Sequence, residues 1–266
     1  MRTAIKKYLR QKGLYYPLRY SRLFTIYQLL FKPATIKQQQ REVSFYRSFL
    51  PACQLVFDIG ANDGHKTAAF LHFSEKVIAC EPDAENFKQL QARFRNRKEK
   101  VVIEQVALAD TPGKMPMNIH HPGSAFNTLS HKWKQLLEAD NITRWDEKIH
   151  FTGTTEVTTT TLDTLISRYG VPDFIKIDTE GFEEYVLKGL SRRVPCISFE
   201  TLLPDYAAEL QHCILLICTL DPGAVFNIAL HEKMLWPVFR PRKELEEWIA
   251  INSGGPSFEV IVKMTI

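Results

Sequence analysis

The sequence predicts an α/β protein, a doubly wound and mostly parallel sheet preceded by a basic helical arm. Three observations predict it. From Gln54 onward, short apolar runs alternate with amphipathic segments. The apolar runs are hydrophobic along most of their length, as strands buried on both faces are. The first run ends in a glycine-rich turn placed directly before a helix, Asp58-Ile59-Gly60-Ala61-Asn62-Asp63-Gly64.

Residues 1–48 form the arm. They hold eleven basic side chains and one acid, Glu42, a surplus of ten positive charges; against a chain total of +4, the rest of the chain carries a net −6. Aromatic and aliphatic residues interleave with these charges, among them Tyr15, Tyr16, Leu18, Phe24, Tyr27 and Phe31. Such an arm suits an anionic membrane surface or packing on the main domain with its charges solvated. The basic residues are scattered and no nucleic-acid-binding motif accompanies them, so nucleic acid is not the expected partner.

The body spans 49–266. Strands are expected at 55–59, 76–80 and 101–103, with helices at 66–73 and 83–94. In the second helix Phe87, Leu90 and Phe94 share one face, and Asp83 is the expected N-cap. The stretch 111–157 breaks the rhythm with Pro112, Gly113, Pro116, Pro122 and Gly123, and reads as a long insertion of loop covering a site, with a helix near 133–138. The threonine-rich run 152–161 follows. Helices at 162–168, 182–190, 205–219 and 242–251 then alternate with strands at 174–178, 196–200, 225–230 and 258–264.

Composition narrows the class. A chain of 266 residues that is 45% hydrophobic and 24% charged is neither disordered nor fibrous. No apolar stretch approaches the roughly 20 residues of a membrane-spanning helix. The five cysteines include no CxxC pair, which disfavours a disulfide framework or a zinc site. No signal peptide is evident, so the expected location is cytoplasmic, with peripheral contact at the inner membrane face open to the arm.

A glycine-rich turn between strand and helix lets backbone approach a ligand and aims the helix N-terminus at it. Gly60 and Gly64 lack the GxGxxG spacing of dinucleotide sites, and Asn62, a residue tolerant of positive φ, stands between them. Glu81, followed by Pro82, ends the second strand 23 residues after Asp58, where an acid can accept from both ribose hydroxyls. No phosphate-binding lysine follows the turn, so a nucleoside without phosphates fits better than ATP or NAD.

With Asp58–Gly64, Glu81-Pro82-Asp83, Thr161-Leu162-Asp163 and Phe174-Ile175-Lys176-Ile177-Asp178-Thr179-Glu180-Gly181 in view, the chain resembles the FkbM family of methyltransferases from about residue 56 to 200. The resemblance implies a class I, Rossmann-like methyltransferase fold with S-adenosyl-L-methionine as donor. It also implies O-methylation of a hydroxyl on a sugar, glycolipid or secondary metabolite. By position, Asp58, Gly60, Ala61, Asn62 and Gly64 would line the methionine part of the donor. Glu81 and Pro82 would hold the ribose, and Gln105 and Ala107 would border the adenine. Asp178 would face the transferred methyl, with Glu180 and Glu183 near it.

A neutral alcohol needs a base within hydrogen-bond reach. Asp178 is the first candidate, Glu180 a second carboxylate, and His121 the rival base; His120, His131 and His65 are the other histidines near the expected site. Asp178, Glu180 and Glu183 have the oxygen chemistry for a divalent cation, although no metal is expected. Lys176, inside a central strand, must find a partner or reach solvent, because an unpaired buried charge is costly. Trp133, Trp145 and Phe126 suit either an aromatic wall for the acceptor or core packing. The reading from another class is a non-catalytic binding module tethered to a membrane or polyanion through the arm.

Overall fold

The computed structural model describes residues 8–9, 12–21, 24, 27, 31, 33–139, 148–252 and 257–265. Helices α1 (Tyr15–Arg19) and α2 (Pro33–Arg47) precede a strand–helix alternation: β1 (Cys53–Ile59), α3 (His65–Phe70), β2 (Ser74–Cys80), α4 (Ala84–Arg93) and β3 (Val101–Glu104). After β4 (Ala107–Leu108), the insertion contributes β5 (Gly113–Ile119), α5 (His131–Ala139) and β6 (Gly153–Thr160). The alternation resumes with α6 (Leu162–Tyr169), β7 (Phe174–Ile177), α7 (Glu183–Lys188), β8 (Cys196–Thr201) and α8 (Ala207–Leu220). It closes with β9 (Val225–Leu230), β10 (Lys233–Met234), β11 (Arg240–Pro241), α9 (Arg242–Ile251) and β12 (Phe258–Lys263).

The main sheet has the order β10-β9-β12-β8-β7-β1-β2-β3, with β11 on β9. Its β3-β2-β1-β7-β8 half is parallel, and β12 runs antiparallel between β8 and β9. Side chains alternate between faces because a strand repeats every two residues. Leu55, Phe57 and Ile59 therefore meet Leu165, Val186, Ile214 and Leu245 on one face, while Val56 meets Tyr46, Phe70 and Phe174 on the other. Each such side chain removed from water contributes about 1.5–3 kcal/mol. Chain order reverses at β1, with β2 and β7 on opposite sides, so the loops after β1 and β7 part there and leave a crevice at the carboxyl edge.

Part of the insertion is more ordered than its composition suggests. β5 and β6 pair antiparallel from Gly113↔Thr159 to Ile119↔Gly153, and β4 joins β6 to make a separate three-stranded sheet. Threonine favours strands because its branched side chain fits a pleated surface, and Val157 and Thr159 point inward. Pro116 is compatible with β5 because β5 is an edge strand, where a missing N–H breaks no ladder.

The described part of the arm rests on the body. Tyr16 donates to Glu85 Oε1 of α4 at 2.7 Å, and the Arg93 guanidinium lies 5.5 Å from the centre of the Tyr20 ring. Phe45, Tyr46, Phe49 and Leu50 are buried with Phe70, Phe73 and Phe174, so the expected division at residue 48 crosses a packed cluster. Glu42, also buried, lies 2.7 Å from His65 Nε2 and 3.5 Å from Lys66 Nζ. Leu14, Leu18, Tyr27 and Phe31 are exposed. Among the described residues no helix is long and apolar enough to cross a membrane.

Candidate active site

The turn after β1 is built for close approach. Gly60 (φ +81°) has no room for a side chain: a Cβ would lie 2.8 Å from the Asp178 carbonyl carbon and closer still to its oxygen. Gly60 and Ala61 both donate to the Cys80 carbonyl, each at 3.0 Å, which ties the turn to the end of β2. Asn62 adopts the left-handed conformation (φ 47°) expected of it and donates its N–H to Glu81 Oε2 at 2.8 Å. The other oxygen, Glu81 Oε1, accepts from Asp83 N–H at 2.8 Å. Asp83 in turn caps α4 through Glu85 and Asn86 N–H and holds the insertion by accepting from Gly123 N–H and Asn127 Nδ2.

These elements border an open cleft of about 690 Å³ at the switch point. Gly60, Asn62, Glu81, Pro82 and Ala107 line it, as do Asp178 and Glu180. Four residues expected at the donor site do not. Asp58 is buried and accepts a hydrogen bond from the Thr67 hydroxyl. Ala61 is buried behind the turn, and Gln105 is exposed while its neighbours Val106 and Ala107 face the cleft. Gly64 serves packing: a Cβ there would lie 2.6 Å from Leu90 and 2.7 Å from Phe94. The insertion adds lining residues that local sequence did not indicate, chiefly Met117, Ser124, Asn127 and Thr128.

The loop after β7 forms the far wall. Glu180 (φ 55°) and Gly181 (φ 84°) are both left-handed, a conformation that costs a non-glycine residue roughly 1–2 kcal/mol. Local bonds hold it there: Thr179 donates N–H and hydroxyl to Glu183 Oε1 at 2.8 and 3.0 Å, and the Thr128 hydroxyl donates to the Glu180 carbonyl at 2.8 Å. A Cβ on Gly181 would fall 2.7 Å from Tyr206 Cζ, so glycine lets Tyr206 press against the loop.

Behind this wall lies a second cavity of about 330 Å³ lined by Trp133, Tyr206, Glu183, Glu200 and, again, Asp178 and Glu180. Trp133 and Tyr206 meet edge to face at 5.7 Å, and Ser130 Oγ lies 3.1 Å from the Tyr206 hydroxyl. His121 borders neither cavity; it is exposed, with Nδ1 3.1 Å from the Pro122 carbonyl. His120 Nδ1 contacts the His150 carbonyl, His131 pairs with Gln135, and His65 with Glu42. Phe126 packs at the edge of the Trp133 cluster. Trp145 lies outside the described residues. Among the described residues no group of three or more His, Cys, Asp or Glu side chains is arranged to hold a metal ion.

Burial dominates the electrostatics. It pushes Glu81 up to about 7 against the two N–H bonds from Asp83 and Asn62, and Asp58 up to about 6 against its bond from Thr67. Asp178 is pushed up to about 7 by burial, opposed by Lys176 and reinforced by Glu200 and Glu183. Glu180 is pushed well above the usual carboxylate range by burial and by Asp178, Glu200 and Glu183. Lys176, fully buried, reaches Glu200 at 3.2 Å, Asp178 at 3.5 Å and Glu259 at 3.9 Å.

The residues lining the cleft fit a cationic nucleoside. Each Glu81 oxygen accepts one backbone bond and keeps a second lone pair for a hydroxyl donor. Val106, Ala107, Leu108, Met117 and Leu129 offer apolar surface for a flat base, and Asp178 and Glu180 offer carboxyls to a positive centre. No Lys or Arg among the described residues lines the cleft, so no basic side chain there is placed to pair with a phosphate.

The family model described as the methyltransferase FkbM domain matches residues 58–212, more than half of the chain. Methyltransferase FkbM from Methylobacillus flagellatus KT is 15% identical over 80% of this chain and 44% of its own, with a TM-score of 0.49. This chain thus spans under half the length of that protein. Precorrin-6y C5,15-methyltransferase from Geobacter metallireducens GS-15 is 10% identical over 85% of this chain and 87% of its own, with a TM-score of 0.44. An rRNA methylase from Streptococcus thermophilus is 14% identical over 84% and 94%, with a TM-score of 0.40. No curated protein matches the chain in sequence. By the match over residues 58–212, the chain belongs to the methyltransferase FkbM family, which implies S-adenosylmethionine as the methyl donor.

Proposed function

We propose that the chain is an O-methyltransferase acting on a hydroxyl of a sugar, glycolipid or secondary metabolite, with Asp178 as the base. The observation that carries this reading is that Asp178 and Glu180 belong to the walls of both cavities. A donor in the cleft and an acceptor in the chamber would meet across these two carboxyls. In this reading Gly60, Asn62, Glu81 and Pro82 hold the donor's ribose and methionine parts, and Val106, Ala107 and Leu108 border its base. When bound, S-adenosylmethionine supplies a methyl group on a positively charged sulfur, suited to in-line displacement.

The chain supplies alignment and a place for one proton. Holding the two reactants in line can account for roughly 7–11 kcal/mol of barrier lowering. An alcohol is a weak nucleophile, and Asp178, poised at about 7, is matched to receive its proton near neutral pH. Glu180, pushed well above the usual carboxylate range by burial and its acidic neighbours, lines both cavities beside Asp178. Trp133 and Tyr206 offer faces for a sugar ring, while Glu183 and Glu200 offer acceptors for its other hydroxyls. No Lys or Arg among the described residues lines the chamber, which favours an uncharged acceptor over an anionic one.

A glycolipid acceptor would also give the arm a role. Its ten surplus positive charges and the exposed Leu14, Leu18, Tyr27 and Phe31 suit an anionic bilayer surface. The test of the reading is transfer of labelled methyl to a panel of glycans and glycolipids, with products identified by mass spectrometry. A methyl ether is expected, and Asp178→Asn should slow its formation about 100-fold or more. A product methylated on nitrogen or carbon, or an Asp178→Asn variant as fast as wild type, refutes it.

A further inference from the structure

Glu200, near the end of β8 and some twenty residues past the acidic loop, borders both the acceptor chamber and a further recess of about 560 Å³. Strand alternation puts it on one face with the buried lysine. Lys176 pairs in register with Ser198, two residues before Glu200, and Glu259 of β12 stands directly opposite Glu200. Lys176 is 0% exposed, and its ammonium sits among three carboxylates at 3.2, 3.5 and 3.9 Å, besides the Ile177 carbonyl at 3.4 Å.

One cation cannot neutralise three carboxylates. Glu200 holds the hydrogen-bonded place at 3.2 Å, and Asp178 the looser one at 3.5 Å. Of the three acids, only Asp178 and Glu200 line the acceptor chamber. Lys176 holds Glu200 below the usual carboxylate range, against the partial desolvation that raises it. Burial works against the charge of Lys176 itself, but Asp178, Glu200 and Glu259 outweigh it and keep the ammonium well above its ordinary value. Lys66 on α3, Tyr46 on α2, Asp58 on β1, Glu180 on the acidic loop and Glu183 at the start of α7 also act on this group, so its balance is set from several elements.

We propose that Asp178 and Glu200 form a carboxyl pair with divided duties, Glu200 held as the counter-ion of Lys176 while Asp178 takes the proton of the acceptor hydroxyl. Glu200 and Lys176 are then positioning residues that act through Asp178, and the proposal rests on the reading of Asp178 as the base. The acceptor oxygen gains the methyl carbon, the carbon–sulfur electron pair stays with sulfur, and the hydroxyl proton passes to Asp178. The Lys176–Glu200 pair keeps its charges throughout. Asp178, 28% exposed, then returns the proton to water.

Carboxyl ¹³C NMR titration of the full chain without acceptor tests this, the Asp178 signal being assigned by its loss in Asp178→Asn. Glu200→Gln removes a negative neighbour and leaves Lys176 to Asp178, so the Asp178 midpoint should fall by about one pH unit. Lys176→Met removes the cation, so the midpoint should rise. Glu200→Asp, which keeps the charge, should restore a value close to wild type. The Glu200 side chain is 44% exposed, so Glu200→Gln is the variant expected to fold without difficulty and decides the matter if Lys176→Met does not fold. An Asp178 midpoint unmoved by Glu200→Gln, or moved upward by it, overturns the pair. Full methyl transfer by Asp178→Asn would instead remove the base and leave the Glu200 shift standing, so the two failures are distinguishable.

Discussion

Gly60→Ala is the substitution whose cost the geometry defines most closely. Gly60 sits at φ +81°, and an added methyl would overlap the Asp178 backbone carbonyl across the crevice. The left-handed conformation costs an alanine roughly 1–2 kcal/mol. The overlap is with backbone that is itself bonded, since Asp178 N–H donates to the Ile59 carbonyl at 2.9 Å, so the loops after β1 and β7 must separate. Overpacking of this kind costs about 1–3 kcal/mol. The sum, about 2–5 kcal/mol, corresponds to a melting temperature lower by about 4–20 °C for a chain of this size. Gly170→Ala is the control. Gly170 is also left-handed (φ +95°) but has nothing within 4 Å of an added Cβ, so it carries backbone strain alone, about 1–3 kcal/mol. Circular-dichroism melting and calorimetric donor titration of both variants separate the effects. Gly60→Ala should weaken S-adenosylmethionine at least tenfold, while Gly170→Ala should leave its affinity near wild type. A Gly60→Ala variant with unchanged donor affinity refutes the placement of the donor against this turn.

Glu81→Ala should weaken donor and demethylated product alike by about 1.5–3 kcal/mol, the range for hydrogen bonds to a charged group, as read by calorimetry. Donor affinity should also depend on pH with a definite sign. Protonating Asp178, poised at about 7, removes negative charge facing the donor's positive sulfur, so affinity should fall as pH drops from 8 to 6. The neutral thioether product should lose less over the same range, since Glu81, also at about 7, affects both ligands equally; equal losses would place the sulfur away from Asp178. Deleting residues 1–31, which spares the buried half of α2, should reduce sedimentation with anionic vesicles and leave donor affinity nearly unchanged. Equal sedimentation of the two forms would mean that the arm does not bind membranes.

What could be read from sequence was what local chemistry encodes. The turn at Gly60–Gly64, the acid at the end of β2, the Asp83 cap and the strand carrying Lys176 all announce themselves within a few residues. Long-range contacts do not. Gly64 looks like a ligand-binding glycine, but what excludes a side chain there is Leu90 and Phe94, a helix away. Pro116 reads as a strand breaker until β5 is known to be an edge. Tyr206 reaches the acidic loop only because Gly181 makes room and Ser130 meets its hydroxyl, partners separated from it by tens of residues. His121 suggested a base by its chemistry alone, and the fold turns it to solvent. Lys176 shows the intermediate case. Its need for a partner was evident, whereas the partners on β8 and β12 became visible only with the strand order.

The most direct measurement is calorimetric titration of S-adenosylmethionine into the intact chain at pH 8, repeated with NAD and with the Glu81→Ala variant. Saturable one-to-one binding of the sulfonium nucleoside, weakened in the variant and absent for NAD, is the expected result. Heat from NAD alone, or a donor isotherm indifferent to Glu81, would contradict the assignment of the crevice between β1, β2 and β7 as the methyl-donor site.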